Sequence, residues 1–422
     1  MKQNSLDSWL DYLQTIGPKE IKLGLERIKP VYEKIVKSNL TSKIIVVGGT
    51  NGKGTTAEFL SQLLITKKRT VGTYTSPHLF NFNERIKING QAVPEKHIIN
   101  SFKLIEEKKG STHFTYFDFS TLAALLIFNE FKVDFMVLEI GLGGRLDPVN
   151  IVDSDIAILT NVELDHQELL GNNREVIGKE KADIFKFKKP VILGQHSIPE
   201  SVFVETKKKQ NQVYKVGERF DYQVDDLNKK WSYNFFGEKE IIFSPIRLNN
   251  FSVSSLSCAL TAFCILEEDV DIDLELVIKK MDLKGRCELI NNRFLLDVSH
   301  NESSVTFLSS FLKRNFGNKR EITAVFGVMS DKDIELIIKP LKETVKKWYV
   351  TSPSIDRSMD AEEVCRLISS LSSSQVNRFE NVIDACSKAN EETGVDGLIL
   401  IFGSFFTVAE AFPAIKVLRS VV

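Results

Sequence analysis

Lys43-Ile44-Ile45-Val46-Val47-Gly48-Gly49-Thr50-Asn51-Gly52-Lys53-Gly54-Thr55-Thr56 joins an apolar run to a glycine-rich turn and then to a helical pattern. The run 43–47 reads as a buried strand. From 55 to 67, Phe59, Leu60, Leu63 and Leu64 recur at helical spacing. Glycines in such a turn let consecutive backbone N–H groups point at an anion, and the helix N-terminus adds partial positive charge. Lys53 can reach the β- and γ-phosphates of a nucleotide, and the Thr55 hydroxyl can face a magnesium ion. The strict G-x-x-x-x-G-K-[ST] pattern is not met, because Val47 stands at its first glycine and Gly54 follows the lysine. The bland alternative is a glycine-rich turn with a solvated lysine; the strand–loop–helix context favours phosphate binding.

Outward from this loop, strand-like runs alternate with helical patterns. Residues 70–74, 135–140 and 155–159 read as strands, with helical stretches around 94–108 and 117–131. Such alternation predicts a mostly parallel sheet covered by helices on both faces. Glu139 ends one of these strands, so its carboxylate emerges at the edge where open α/β sheets bind ligands, and it suits magnesium. The alternative is a carboxylate that pairs with Arg145. Residues 213–216, 220–224 and 231–236 alternate and are aromatic, as short antiparallel strands do, and a helix is expected from 252 to 267. Near Lys284-Gly285-Arg286 the α/β alternation restarts, with strands at 294–297, 322–326, 348–350 and 398–402. A domain boundary is placed there, giving 1–284 and 285–422. Three further clusters are weaker by chemistry alone: Asp165-His166, which reads more readily as structural; Lys179-Glu180-Lys181, as a solvated helix face; and Asp297-Val298-Ser299-His300-Asn301 at a strand end.

Composition bounds the function. The 422 residues carry 55 Lys+Arg against 56 Asp+Glu, a formal net charge of −1 that excludes a strongly basic nucleic-acid binder. Apolar residues at 43% and charged residues at 26% argue for a globular chain of two or three domains. The five cysteines have no C-x-x-C spacing, fit neither a disulfide framework nor a zinc site, and point to a reducing cytoplasm. No signal peptide or membrane span is expected.

Taken in order, these blocks resemble the dihydrofolate synthase/folylpolyglutamate synthase family of the Mur-ligase superfamily. The resemblance runs through Ile21-Lys22-Leu23-Gly24-Leu25-Glu26-Arg27, the loop 49–55, Thr75-Ser76-Pro77-His78, Thr115-Tyr116-Phe117-Asp118, Leu138–Asp147, Leu164-Asp165-His166, Glu180-Lys181-Ala182, Gly285-Arg286, Asp297 and His300-Asn301. It implies an α/β fold: a P-loop mononucleotide-binding domain with a mostly parallel sheet and a small antiparallel region, then a smaller Rossmann-like domain. It implies an ATP-dependent ligase that adds L-glutamate to dihydropteroate and further glutamates to reduced folates through an acyl phosphate. Polyglutamylation alone, or a nucleotide-dependent switch without ligation, are the alternatives.

The implied site follows residue by residue. Thr50, Asn51, Gly52, Lys53, Gly54 and Thr55 cradle ATP, with Asn250, Arg286, Asp297, His300 and Asn301 also at the nucleotide. Of two Mg2+ ions, one is held by Ser76 and Glu139, the other by His166 and a carboxylated Lys181. The catalytic set is therefore Lys53, Glu139, His166 and Lys181. Ile21, Lys22, Leu23, Thr115, Tyr116, Phe117, Asp118, Leu146, Asp147 and Pro148 line the pterin site. A cytoplasmic monomer without nucleic-acid or membrane partners is expected. Asp183 departs from the family by replacing a glycine after Glu-Lys-Ala, and Pro148-Val149 stands where Ala-Thr is frequent.

Overall fold

A computed structural model describes residues 4–16, 24–36, 40–237, 240–317 and 319–418. The chain divides into two compact units, Met1–Leu248 with Ser252–Asp282, and Asn249–Phe251 with Leu283–Val422.

The first unit is built on an eight-stranded sheet. Its strands are β1 (Lys43–Gly48), β2 (Val71–Tyr74), β3 (Ile86–Ile88), β4 (Gln91–Ala92), β5 (Phe135–Glu139), β6 (Ile156–Leu159), β7 (Val191–Leu193) and β8 (Val213–Lys215). They lie in the order β4-β3-β2-β5-β1-β6-β7-β8, with only the β2–β3 and β3–β4 pairings antiparallel. The central strands are buried along their length, which is why they read as unbroken apolar runs. β1 lies between β5 and β6, with Val47 opposite Glu139 and Gly48 opposite Leu159. The loops after these three strands therefore meet at one point of the C-terminal edge, where the strand order reverses. The helix Lys53–Thr66 leaves that point and is buried from Thr55 to Leu64, packing against the helix Val253–Leu266, itself buried from Ser255 to Phe263.

The residues expected as antiparallel strands divide. β9 (Phe220–Asp225), β10 (Lys230–Phe236) and β11 (Glu240–Arg247) do form an antiparallel sheet, ordered β11-β10-β9. The stretch around 213–216 does not join it: β8 pairs parallel with β7 at the edge of the large sheet. Its alternation reflects an edge strand with one half-exposed face rather than antiparallel pairing.

The second unit holds a six-stranded sheet of β12 (Glu288–Ile290), β13 (Phe294–Asp297), β14 (Ile322–Phe326), β15 (Val345–Val350), β16 (Gln375–Arg378) and β17 (Leu398–Phe402). The order is β12-β13-β17-β14-β15-β16, parallel except for the β12–β13 hairpin. Its own core gathers Leu295, Ala324, Trp348, Leu400 and Phe402 with the helices packed on them.

Candidate active site

The phosphate loop is held by polar groups that follow β6. One Asn161 side-chain oxygen accepts the N–H groups of Thr50 (3.0 Å) and Asn51 (2.9 Å). The Thr160 hydroxyl donates to the Asn51 carbonyl at 2.7 Å, and the Thr50 hydroxyl bridges both backbone groups of Glu163. Two glycines are required by geometry. A Cβ on Gly49 (φ +141°) would lie 1.9 Å from Thr160 Oγ1, and one on Gly52 (φ +83°) would lie 2.2 Å from Ser255 Oγ. Gly52 also starts the helix Lys53–Thr66 from a left-handed conformation that favours glycine.

Charged groups gather on this loop. The Lys53 ammonium donates to the carbonyls of Gly49 and Thr50, each at 3.1 Å, and Lys181 donates to the same Gly49 carbonyl at 3.1 Å. Burial, aided by the Lys53 charge, pushes the Lys181 pKa down to about 7. Lys181 is thus no solvated residue: it is 4% exposed near the end of the helix Arg174–Ala182. Glu139 is buried at the end of β5; one oxygen accepts the Ser76 N–H at 2.9 Å, and a Cβ on Gly54 would sit 3.3 Å from that oxygen. Arg145 pairs with Glu180 at 2.9 Å instead. Asp183 is engaged by Lys209 at 3.1 Å and by Arg145 at 3.8 Å, so its charge is countered. His166 adopts a left-handed conformation before a four-residue helix, with its Nε2 4.0 Å from Asp165.

Thr115 and Asp118 form a capping box at the start of the helix Tyr116–Glu130. Asp118 is fully buried, and Arg27 grips its two oxygens at 2.7 and 2.8 Å. Tyr116 and Phe117 are half-buried; the Phe117 ring lies so close to Gly141 that a Cβ there would be 2.5 Å away. Arg85 faces the Tyr116 ring at 5.5 Å and donates to His78 Nδ1 at 2.7 Å. Asp147 accepts the N–H groups of Leu142 and Val149, both at 2.9 Å. Burial pushes its pKa up to about 7 against those bonds. The Leu146 carbonyl accepts the Gly24 N–H at 3.2 Å, and Pro148 is buried in a short 3-10 turn. Ile21, Lys22 and Leu23 lie outside the described residues.

In the second unit, Asp297 closes β13 and accepts the N–H groups of Cys287 (2.8 Å) and Ser299 (2.9 Å), as well as the Ser299 hydroxyl. Asn250 donates to the Arg286 carbonyl at 2.7 Å, and the Arg286 guanidinium lies over the Phe405 ring at 5.2 Å. His300 Nδ1 is 2.9 Å from the Val298 carbonyl, and Asn301 caps the helix Glu302–Asn315.

The Mur ligase middle domain profile matches residues 47–262, and the Mur ligase glutamate ligase domain profile matches 285–405. Dihydrofolate synthase/folylpolyglutamate synthase of Buchnera aphidicola subsp. Schizaphis graminum is 36% identical over 98% of both chains. The chain belongs to the dihydrofolate synthase/folylpolyglutamate synthase family of Mur ligases. Among solved family structures, E. coli FolC in complex with DHPP and ADP superposes with a TM-score of 0.90 at 33% identity, covering 99% of each chain. A bifunctional folylpolyglutamate synthase/dihydrofolate synthase with Mn, AMPPNP and L-glutamate bound gives 0.87 at 33% identity, covering 98% of each.

The donor set suits what such a family member handles. Among the described residues no three His, Cys, Asp or Glu side chains converge as a protein-only metal site. A carboxylate beside a glycine cradle fits a hard ion that takes its remaining oxygens from phosphates and water. The residues that sequence reasoning missed are Thr160, Asn161 and Arg27. For the first two the signal was a polar pair directly after an apolar strand. Arg27 stands in the quoted block 21–27 but was given no role, since its partner lies 91 positions away.

Proposed function

We propose that this family member is an ATP- and Mg2+-dependent ligase that joins L-glutamate to 7,8-dihydropteroate and adds further glutamates to reduced folates. The observation that carries it is one cluster: the glycine-cradled loop with the Glu139 carboxylate beside Gly54 and the buried Lys181 amine on the Gly49 carbonyl. Backbone N–H groups of Gly52 to Thr55, the helix N-terminus and Lys53 hold the polyphosphate and neutralise charge as it moves. A substrate carboxylate oxygen attacks the γ-phosphorus and ADP leaves; phosphoryl transfer of this kind needs positioning more than covalent help. The glutamate amine then attacks the acyl carbon, phosphate departs with the bonding pair, and the amine loses a proton. Asn250, Arg286, Asp297, His300 and Asn301 are assigned to the nucleotide, and Tyr116, Phe117 and the segment 146–148 to the pterin. Asp118 serves that surface indirectly, by holding Arg27.

Divalent ions, when bound, offset phosphate charge; Ser76 and Glu139 are assigned to one ion, and His166 with a carboxylated Lys181 to a second. With its pKa near 7, the Lys181 amine is substantially neutral at neutral pH and can add carbon dioxide, releasing a proton and leaving an anionic oxygen donor. Five cysteines without disulfides suit the reducing cytoplasm to which we assign the enzyme. The test incubates the protein with Mg-ATP, glutamate and either dihydropteroate or a reduced folate, measuring phosphate release and product mass. A mass gain of one glutamate is expected. Phosphate release that ignores glutamate defeats the ligase and favours a switch. Lys181→Ala is expected to abolish ligation while ATP still binds, and near-normal turnover in that variant removes Lys181 from the mechanism.

A further inference from the structure

Arg85 is a buried cation of the first unit without a counter-ion among the described residues. It ends the short 3-10 turn Phe82–Arg85 in the loop from β2 to β3, and its carbonyl accepts the Thr75 N–H at 3.0 Å. The residue is 8% exposed. Its guanidinium carbon lies 5.6 Å from the Phe82 ring and 5.5 Å from the Tyr116 ring, and Nε donates to His78 Nδ1 at 2.7 Å. Among the described residues no carboxylate comes within ion-pair distance of it. Its two Nη groups have no hydrogen-bond partner there, and neither is sealed from solvent.

Two carboxylates that could have served are committed elsewhere. Glu84, its neighbour in sequence, accepts the N–H groups of Leu79, Phe80 and Asn81 at 2.7, 2.9 and 2.7 Å. Asp118, two residues after Tyr116, is held by Arg27 at 2.7 and 2.8 Å. Lys87, two residues on and equally buried, does have a counter-ion, Glu58 at 3.1 Å. Aromatic faces offset part of the hydration a guanidinium loses, but its fork of N–H donors is matched best by a carboxylate or a phosphate. Keeping such a cation buried and unpaired is costly, and an anion that arrives with a ligand relieves the cost.

Tyr116 belongs to the surface assigned above to the pterin substrate, so the guanidinium borders that surface. Dihydropteroate brings one carboxylate, the one that reacts. Tetrahydrofolate ends in a glutamate with two: one reacts, and the α-carboxylate keeps its charge. An arginine clamped on the attacking carboxylate would hold it in its ground state and oppose its attack on phosphorus. On the spectator carboxylate it binds ground and transition states alike. We propose that Arg85 is a specificity-determining residue that binds the free α-carboxylate of the folate substrate's terminal glutamate. It thereby favours glutamate addition to folates and contributes little to the ligation of dihydropteroate. The inference rests on the ligase reading above.

The full chain is assayed with Mg-ATP, glutamate and either dihydropteroate, tetrahydrofolate or tetrahydrofolate α-amide, as wild type, Arg85→Met and Arg85→Lys. Wild type is expected to lose about ten- to a hundredfold in kcat/KM on the α-amide, chiefly through KM, a result that needs no variant to fold. Arg85→Met is expected to show the same loss on tetrahydrofolate and no further loss on the α-amide, with dihydropteroate turnover within about threefold of wild type. Arg85→Lys keeps the charge without the fork and is expected to fall between the two. Equal use of tetrahydrofolate and its α-amide by wild type overturns the proposal, as does tetrahydrofolate turnover untouched in Arg85→Met. An Arg85→Met loss that is as large on dihydropteroate also overturns it, since the residue then holds the loop or the reacting carboxylate. Wild type that ligates neither substrate defeats the ligase reading itself. Wild type that ligates dihydropteroate alone overturns this inference and leaves the ligase standing, because no substrate then brings a spectator carboxylate.

Discussion

Gly49→Ala probes the loop most directly. The new methyl has two costs. A side chain at φ +141° occupies a sparsely populated conformation, at about 1–3 kcal/mol. The Cβ also falls 1.9 Å from Thr160 Oγ1, an overlap that forces Thr160 or the loop to move, at a further ~1–3 kcal/mol. Thr160 is poorly placed to give way, since its hydroxyl is committed to the Asn51 carbonyl at 2.7 Å and the Gly48 carbonyl at 3.3 Å. A loop that shifts escapes the strain, but phosphate binding must restore it, so the cost appears as lost affinity. About 3 kcal/mol corresponds to roughly a hundredfold weaker ADP binding. Calorimetric ADP titration of Gly49→Ala, Thr160→Ala and the double variant checks this. Thr160→Ala alone loses one hydrogen bond, about 1 kcal/mol. In the double variant the closest remaining obstacles are Thr160 Cβ at 3.1 Å and the Asn161 nitrogen at 3.2 Å, so it is expected to bind more tightly than the two single losses combined would allow. Additive losses, or wild-type affinity in Gly49→Ala, refute the reasoning.

Glu139→Gln keeps the shape but not the charge beside Gly54, and is expected to raise the Mg2+ concentration for half-maximal ligation by about tenfold or more, read by Mg2+ titration of phosphate release. Asp118→Asn strands the Arg27 guanidinium and is expected to cost about 3–5 kcal/mol in urea unfolding, with Arg27→Met/Asp118→Leu losing less. His78 is held neutral: burial, and secondarily the Arg85 charge, bring its pKa down to about 4. The unfolded chain therefore takes up this proton first as pH falls. The contribution of His78 is intact above its ordinary value near 6.5, is lost on descending toward about 4, and then levels off. Discounted for partial exposure, the loss is about 1–2 kcal/mol. Urea unfolding at pH 7.5 and 4.5 is expected to show that much less acid sensitivity in His78→Gln, and equal sensitivity in both proteins counts against it.

Much of the fold was legible because the central strands of a parallel sheet are buried on both faces and cannot hide in a sequence. The candidate ligands were legible for a related reason: Glu139 and Asp297 are carboxylates at the last position of apolar strands, where only the sheet's C-terminal edge can receive them. What stayed hidden depended on partners distant in the chain. Lys181 reads as a solvated helix face until burial places it on the Gly49 carbonyl, 132 positions away. β8 carried the alternation of any half-exposed strand, and nothing local distinguishes a parallel partner from an antiparallel one. Residues 249–251, which belong with the second unit, carry no compositional signal at all.

The departure of the loop from the strict phosphate-binding pattern has a spatial reason. In that pattern a hydroxyl residue follows the lysine and faces the metal ion. Here Gly54 follows Lys53, and a Cβ at that position would sit 3.3 Å from one Glu139 oxygen and 3.6 Å from the other. β5 is the neighbour of β1, and Val47 lies opposite Glu139 in register, so the carboxylate at the end of β5 is delivered to the first turn of the helix. A side chain after Lys53 would press on that carboxylate, whereas glycine lets it approach the backbone. With Glu139 assigned to a metal ion as proposed above, the oxygen donor that the strict pattern takes from the helix would come from the adjacent strand. The same substitution that weakens the sequence match is therefore the one that makes room for Glu139, and Gly54→Ser, which restores the textual pattern, is expected to impair Mg2+-dependent turnover rather than improve it.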